Sequence, residues 1–407
     1  MNNFHDPARH LKYLRQSLSQ DNEAIGFFLS AGCPLSVSLP ADQWPLIPDV
    51  ANLTKYISKL LIDNSNYNLL LAELEKSGRD KENIEDILSF LRGLLVVSRG
   101  GTVRGLTEDM LISLEKLICK EIVNKIDVSL PLQETPYHKL CKWIRSIDRK
   151  IAIEIFTTNY DLLMEQALEE LEIPFFDGFV GSNQPFFDLR SLEDNLIPIH
   201  WSRLWKIHGS INWYQKTIGK QKKVFRSSSR QDGLSHLIYP SHLKYEESRK
   251  MPYLALLDQL NRFIRKKSSF LILSGYSFND GHLNDVIINS LKANPTAMVL
   301  GLMHNMYHVT VNNDNLIERY PEAYRLAQNQ HNLNIWTFDK AIIGTNLGIW
   351  KHSNNTDDID KDIIEFINTE KDNQSGKTYD HVKFGDFDIF TNFLKKIIGS
   401  SKGEDNV

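Results

Sequence analysis

Cysteine is scarce in this chain: Cys33, Cys119 and Cys141 are the three among 407 residues. They are far apart and odd in number, and no pair has CxxC spacing. That pattern supports neither a disulfide framework nor a zinc cage, and it fits a reducing cytoplasm. Charge of one sign is scarce too. The formal net charge of −4 argues against a protein whose main business is coating nucleic acid. The basic cluster Lys220, Lys222 and Lys223 is short and reads as solvated loop. No apolar run reaches transmembrane length. Ala24 to Cys33 imitates a secretory signal, but Asp21 and Glu23 precede it where a signal needs positive charge, and it is too short to span a bilayer. No P-loop pattern GxxxxGK[ST] occurs, so the chain carries no ATPase signature of its own.

What is present is a large apolar fraction, 42% of residues, enough for an extensive core in a chain long enough for two or three structural units. Residues 5–20 read as a helix, with Leu11, Leu14 and Leu18 on one face. Residues 24–30 form a continuous apolar run, which suits a central parallel strand buried on both faces. Between 51 and 149 the texture is helical: residues 51–63, 68–76, 83–98, 108–126 and 137–147 carry helical periodicity with little strand signal between them. From Ile151 onward strand patterns return at 151–156, 204–207, 270–274, 297–303 and 335–338. Strands alternating with helices predict an α/β fold with a doubly wound, Rossmann-like parallel sheet. The expected organisation is a nucleotide-binding domain of residues 1–50 and 150–345, a helical insertion at 51–149, and a C-terminal extension at 346–407. Within that extension, 353–378 reads as a weakly ordered polar excursion and 384–398 as an amphipathic helix.

Four polar motifs follow predicted strands, and in open parallel sheets ligands bind beyond the carboxyl ends of the strands. Ser30 to Pro34 is a small-residue turn whose backbone N–H groups could approach a pyrophosphate or simply turn the chain. Thr157, Thr158, Asn159 and Asp161 crowd one strand–helix junction, more than a single helix cap requires. His208-Gly209 opens a third motif with Ser210 and Asn212, where Trp213 reads as packing. The fourth runs from Gly275 to Asp285. Its Ser277, Asn279, Asp280 and His282 could line a nucleotide pocket or simply cap the following helix, and capping is the favoured reading for Asp280.

In this order the motifs resemble the sirtuin superfamily. Ser30-Ala31-Gly32 stands for its Gly-Ala-Gly loop and Thr157 to Asp161 for its Thr-Gln-Asn-Ile-Asp turn. His208-Gly209 and Gly275-Tyr276-Ser277 stand for its His-Gly pair and late Gly-Ser strand end. The Thr-Thr-Asn-Tyr-Asp and His-Gly-Ser-Ile-Asn-Trp versions, with Phe-Gly-Asp-Phe at 384–387, are similar to the sirtuin-like NADases of bacterial anti-phage systems, above all those working beside HerA-type ATPases. The chain departs from the family pattern at Ser30 and Pro34, and it has none of the four zinc cysteines of protein deacylases. The resemblance therefore implies NAD⁺ hydrolysis, with NAD⁺ as substrate and no metal. A deacylase, an ADP-ribosyltransferase or a non-catalytic NAD-sensing scaffold are the alternatives. It assigns Asn159 and His208 to catalysis, Asp161 to the nicotinamide carboxamide and Thr158 to NAD⁺ binding. The amides of Ala31, Gly32 and Cys33 fall to the pyrophosphate, and Gly275, Ser277 and His282 to the rest of the dinucleotide. Asp42, or alternatively Asp49, takes the place of the acid in the family's Ile-Pro-Asp-Phe element. The resemblance further implies a cytoplasmic homo-oligomer partnered with a HerA-type ATPase, without a membrane and without direct nucleic-acid binding.

Overall fold

A computed structural model describes residues 3–218, 221–229, 231, 235–238, 252–311, 315–352, 361–371 and 378–398. Ten strands build the main sheet: β1 (Phe4–His5), β2 (Ile25–Leu29), β3 (Glu154–Thr157), β4 (Phe175–Phe176), β5 (Ser202–Lys206), β6 (Phe270–Ser274), β7 (Met298–Leu302), β8 (Leu333–Trp336), β9 (Lys340–Ile343) and β10 (Asn346–Trp350). Their spatial order is β1-β10-β9-β8-β7-β6-β2-β3-β5-β4. The central six, β8-β7-β6-β2-β3-β5, are parallel and follow the Rossmann order, with β2 as the first strand and the chain reversing direction between β2 and β6. The fold is α/β and Rossmann-like, as the strand–helix alternation predicts.

Burial on both faces explains why these strands read as unbroken apolar runs. All five residues of β2 are buried. Because side chains alternate along a strand, Ile25, Phe27 and Leu29 enter one core and Phe28 the other. The first core holds α1 (Pro7–Leu18), α2 (Val50–Leu60), α3 (Ser65–Lys76), α4 (Ile84–Val97), α5 (Glu108–Ile126), α6 (Pro136–Ser146) and α7 (Leu163–Glu170). The second holds α9 (Tyr253–Ile264), α10 (Gly281–Ala293) and α11 (Pro321–Asn329), with the short α8 (Leu189–Glu193) contributing Leu192.

Three features were not read from the sequence. The sheet is mixed, because β8 turns back into antiparallel β9 and β10, and β10 then pairs with β1. A second, five-stranded antiparallel sheet flanks the His208 motif in the chain, built from Phe179–Val180, Phe186–Phe187, Gly209–Ile218, Gln221–Arg226 and Ser235–Ile238. Packing also crosses the expected domain limits. Trp143 of α6 packs edge-on against Phe27 of β2 at 5.4 Å, and Phe27 in turn meets Phe390 of the terminal helix α13 (Phe387–Ile397) at 6.3 Å. Of the expected excursion, 353–360 and 372–377 lie outside the described residues. The remainder includes the short helix α12 (Lys361–Ile364) and Phe366, which packs on Phe384 and Phe393. Of the basic cluster, Lys220 is outside the described residues and Lys223 is exposed.

The terminal helix is seated by close backbone approach. A Cβ on Gly385 would lie 2.0 Å from the Met303 carbonyl oxygen, beyond the end of β7, so only glycine fits. Gly93, in the middle of α4, faces open space. Gly385→Ala is therefore expected to destabilise the fold by more than about 2 kcal/mol. Gly93→Ala should stabilise it by roughly 0.5–1 kcal/mol, the helix-propensity gain. Denaturant unfolding of the two variants checks both signs. A neutral Gly385→Ala would show that the Met303 contact does not constrain the chain.

Candidate active site

Strand register brings the motifs together. Leu29 pairs with Ser274 on one side and with Thr157 on the other, and Thr157 pairs with Lys206. The next residues, Gly275, Ser30 and Thr158, thus emerge side by side, with His208 two positions past Lys206. Hydrogen bonds then tie the loops to one another. Ser30 Oγ and Thr158 Oγ1 are 2.7 Å apart, Asn159 Nδ2 donates to the Ser30 carbonyl at 3.2 Å, and the Asn159 amide donates to Thr157 Oγ1 at 3.0 Å. The first and fourth motifs meet backbone to backbone. The Gly32 amide donates to the Gly275 carbonyl at 3.2 Å, and a Cβ on Gly275, whose φ is +68°, would lie 2.7 Å from Cys33 N.

Between these strand ends and the helical segment lies a cavity of about 430 Å³, within the range of small-molecule sites. Ser30, Ala31, Thr158, Asn159, Asp161, His208, Gly275 and Ser277 form its polar wall. Ile47, Pro48, Val50, Leu53 and Ile126 face them as an apolar wall, with Asn83 and Glu85 at the start of α4. Three carboxylates reach the cavity, Glu85, Asp161 and Asp280, and among the described residues lining it there is no lysine or arginine. Such a lining favours a ligand group carrying positive charge.

His208 is part of this wall, before Gly209 with φ +93°. Its Nε2 lies 3.5 Å from Asp280 Oδ2, and both side chains are nearly buried. Asp280 is also the N-cap of α10, where its Oδ1 accepts from the amides of His282 and Leu283. The Tyr160 ring lies alongside the imidazole, with centroids 6.4 Å apart. Asp161 uses Oδ1 to accept from the Leu163 amide at 3.0 Å. Its own carbonyl accepts from the buried Lys206 ammonium, which also pairs with Glu165 at 2.8 Å. Burial pushes the Asp161 carboxyl up to about 6, against the opposing pull of Lys206.

The expected site residues divide into two groups. Ala31, Thr158, Asn159, Asp161, His208, Gly275 and Ser277 line the cavity together. Gly32, Cys33, Asp42 and His282 do not. The Gly32 and Cys33 amides donate within the protein, to Gly275 and Ser30, and so are not available as a pyrophosphate cradle. The Cys33 thiol is fully buried against the Ser274 carbonyl, and burial pushes it up to about 12. Asp42 is exposed in the turn after Pro40, and Asp49 is occupied in capping α2. His282 is exposed on the first turn of α10. Spacing along the chain pointed to Asp42, but the loop instead delivers Ile47, Pro48 and Val50. Sequence reasoning favoured capping over pocket lining for Asp280, which does both. It missed Tyr160 as the neighbour of His208, and Glu85 altogether. Trp213 is a packing residue, fully buried against Phe179 at 4.9 Å.

An α/β sheet of Rossmann order with a polar pocket at its switch point defines a nucleotide-binding class of protein. Residues 153–332 match the SIR2-like domain family, which supports a sirtuin-like relationship and an NAD-related function. The match begins just before β3 and ends just before β8. It therefore includes the second, third and fourth motifs and leaves out Ser30 to Pro34. No curated protein matches the chain. Among the described residues, no group of three or more His, Cys, Asp or Glu is placed to hold a metal ion, and no helix is long and apolar enough to cross a membrane.

The raised Asp161 carboxyl gives a pH test. The folded state binds this proton more tightly than the unfolded chain. The resulting stabilisation is complete below the ordinary value of 3.8 and is lost as pH rises through about 6. Asp161→Asn keeps the oxygen that accepts from Leu163 and removes the charge. The variant should match the wild type near pH 4 and exceed it in stability by about 2–3 kcal/mol at pH 7. A stability difference that does not vary with pH would show that the buried charge is fully compensated by Lys206.

Proposed function

We propose that the cavity binds NAD⁺ with its nicotinamide end inward and that the chain hydrolyses the nicotinamide–ribose bond. The observation that carries this reading is the meeting of Asn159 and His208 in a cavity lined by three carboxylates and by no described lysine or arginine. The pyridinium ring is cationic, and the ribose becomes oxocarbenium-like as the bond breaks, so an acidic, preorganised pocket favours both the bound ring and the transition state. The apolar wall suits a flat aromatic ring.

In this mechanism Asn159, anchored through Nδ2 to the Ser30 carbonyl, presents its side-chain oxygen to a ribose hydroxyl or to the attacking water. Asp161 accepts from the nicotinamide carboxamide. The C1′–N bond breaks and its electron pair stays on the ring nitrogen, which leaves as neutral nicotinamide. Water adds to C1′ and its proton passes to His208 and then to solvent, giving ADP-ribose. His208 is held for this task between Asp280 and Tyr160. At the outer end, the Ala31 backbone and the Ser277 hydroxyl are the groups nearest a pyrophosphate.

Asn159→Ala and His208→Ala should each lower nicotinamide release by about 100-fold or more while the protein keeps its wild-type melting behaviour. Near-normal turnover of either variant at saturating NAD⁺ would remove that residue from the mechanism.

The resemblance of the motifs extends the proposal to NAD⁺ depletion during anti-phage defence, by a cytoplasmic homo-oligomer restrained until a HerA-type ATPase partner releases it. Uncontrolled hydrolysis of a central cofactor would be toxic, which favours such restraint. Solution mass and NAD⁺ turnover with and without the ATPase test it. The expected result is an oligomer whose turnover rises with the partner. A monomer fully active alone would leave a plain NAD⁺ glycohydrolase.

A further inference from the structure

Glu85 belongs to the helical segment, 75 positions before Tyr160 in the chain, yet the two residues line the same cavity and the Glu85 carboxylate is a hydrogen-bond partner of the Tyr160 phenol. The start of α4 that carries it is firmly built. Asn83 caps it by accepting the Glu85 amide at 2.9 Å, and the buried Thr54 hydroxyl accepts the Ile84 amide at 2.8 Å. A carboxylate at a helix N-terminus is also favoured by the helix dipole. On the other side, Tyr160 is fixed by its backbone. Its carbonyl accepts from the Ile211 amide at 3.0 Å and from Ser210 Oγ at 3.4 Å, just past His208. Its ring lies beside the imidazole, tilted by 33°, and Asp280 stands at Nε2.

We propose that Glu85 is a positioning residue of the active site: by holding the Tyr160 phenol it fixes the ring that confines the His208 imidazole. The effect on turnover rests on the NAD⁺-cleaving reading above, whereas the effect on His208 does not. Released from Glu85, the phenol is free to swing, and the imidazole loses the surface that sets its orientation. Asp161, Asp280 and Glu85 are the carboxylates lining the cavity with His208, so loss of Glu85 also changes the local charge. Glu85→Gln separates the two effects, because its amide oxygen still accepts from the phenol.

The test pairs kinetics with the His208 ring resonances, assigned by their loss in His208→Asn and shifted by the ring current of Tyr160. Glu85→Ala and Tyr160→Phe should each lower kcat by about tenfold, with KM changed less than about twofold, since misplacing a catalytic group slows the chemical step. The double variant should be no slower than either single one, as for two residues acting through one contact. Glu85→Gln should restore most of the turnover. The His208 resonances should move in Glu85→Ala and Tyr160→Phe and remain in place in Glu85→Gln. Additive losses, a loss confined to KM, or wild-type turnover in Glu85→Ala would each overturn the proposal. A wild-type protein that releases no nicotinamide would defeat the NAD⁺ reading alone. In that case His208 resonances unmoved by Glu85→Ala and Tyr160→Phe would overturn the role of Glu85.

Discussion

Two backbones touch where Gly32 faces Gly275, and the site depends on that contact. A side chain at either position would meet the other loop at 2.7 Å. With no Cβ between them, the loop after β2 and the loop after β6 dock at the point where the sheet reverses direction. Ser30 is thereby held beside Thr158 and Asn159, and Ser277 reaches the same cavity. The docking has a chemical consequence. The amides of Gly32 and Cys33 serve the contact between loops, whereas a Gly-rich loop that cradles phosphate leaves such amides facing its ligand. Close backbone approach here serves protein against protein.

Charge sets the second constraint. Lys206 is buried at the end of β5, where Glu165 and the Asp161 carbonyl satisfy it, and it does not line the cavity. The cavity itself is left to acids. Asp280 illustrates how economically they are held. One oxygen caps α10 and the other faces His208, so the start of a rigid helix sets the position of a group beside the imidazole. Asn284 reinforces the same loop, donating to the Phe278 carbonyl and accepting from the Tyr276 hydroxyl. This holds Phe278 at φ +61°, a left-handed conformation costly for an aromatic residue.

Legibility followed the range of the forces involved. The strand at 270–274 and the helix at 108–126 were read to the residue, because burial on two faces and 3.6-residue periodicity are local patterns. The convergence of Thr158, Asn159, Asp161 and His208 was legible because motifs at parallel strand ends must meet. The antiparallel edge formed by β9 and β10 was not, since short strands beside a tight turn leave little periodic signal. Asp42 was chosen by spacing along the chain, and spacing does not report how a loop turns between Pro40 and Val50. Glu85 was hidden for the converse reason. Its partner lies across the fold, and at the start of an amphipathic helix a glutamate looks like any other first-turn acid.

The helical segment is more than an attachment to the sheet. Its α6 lies on β2 through Trp143, and the terminal helix lies on α6 through Tyr137 against Phe387 at 5.5 Å and Lys139 with Asp388 at 2.7 Å. The residues of α2 and α5 that wall the cavity, Val50, Leu53 and Ile126, continue the same hydrophobic core. A wall that shares the core of the sheet cannot be removed to expose the site without also exposing apolar surface. Any widening of the cavity must therefore come from shifts small enough to leave that core packed.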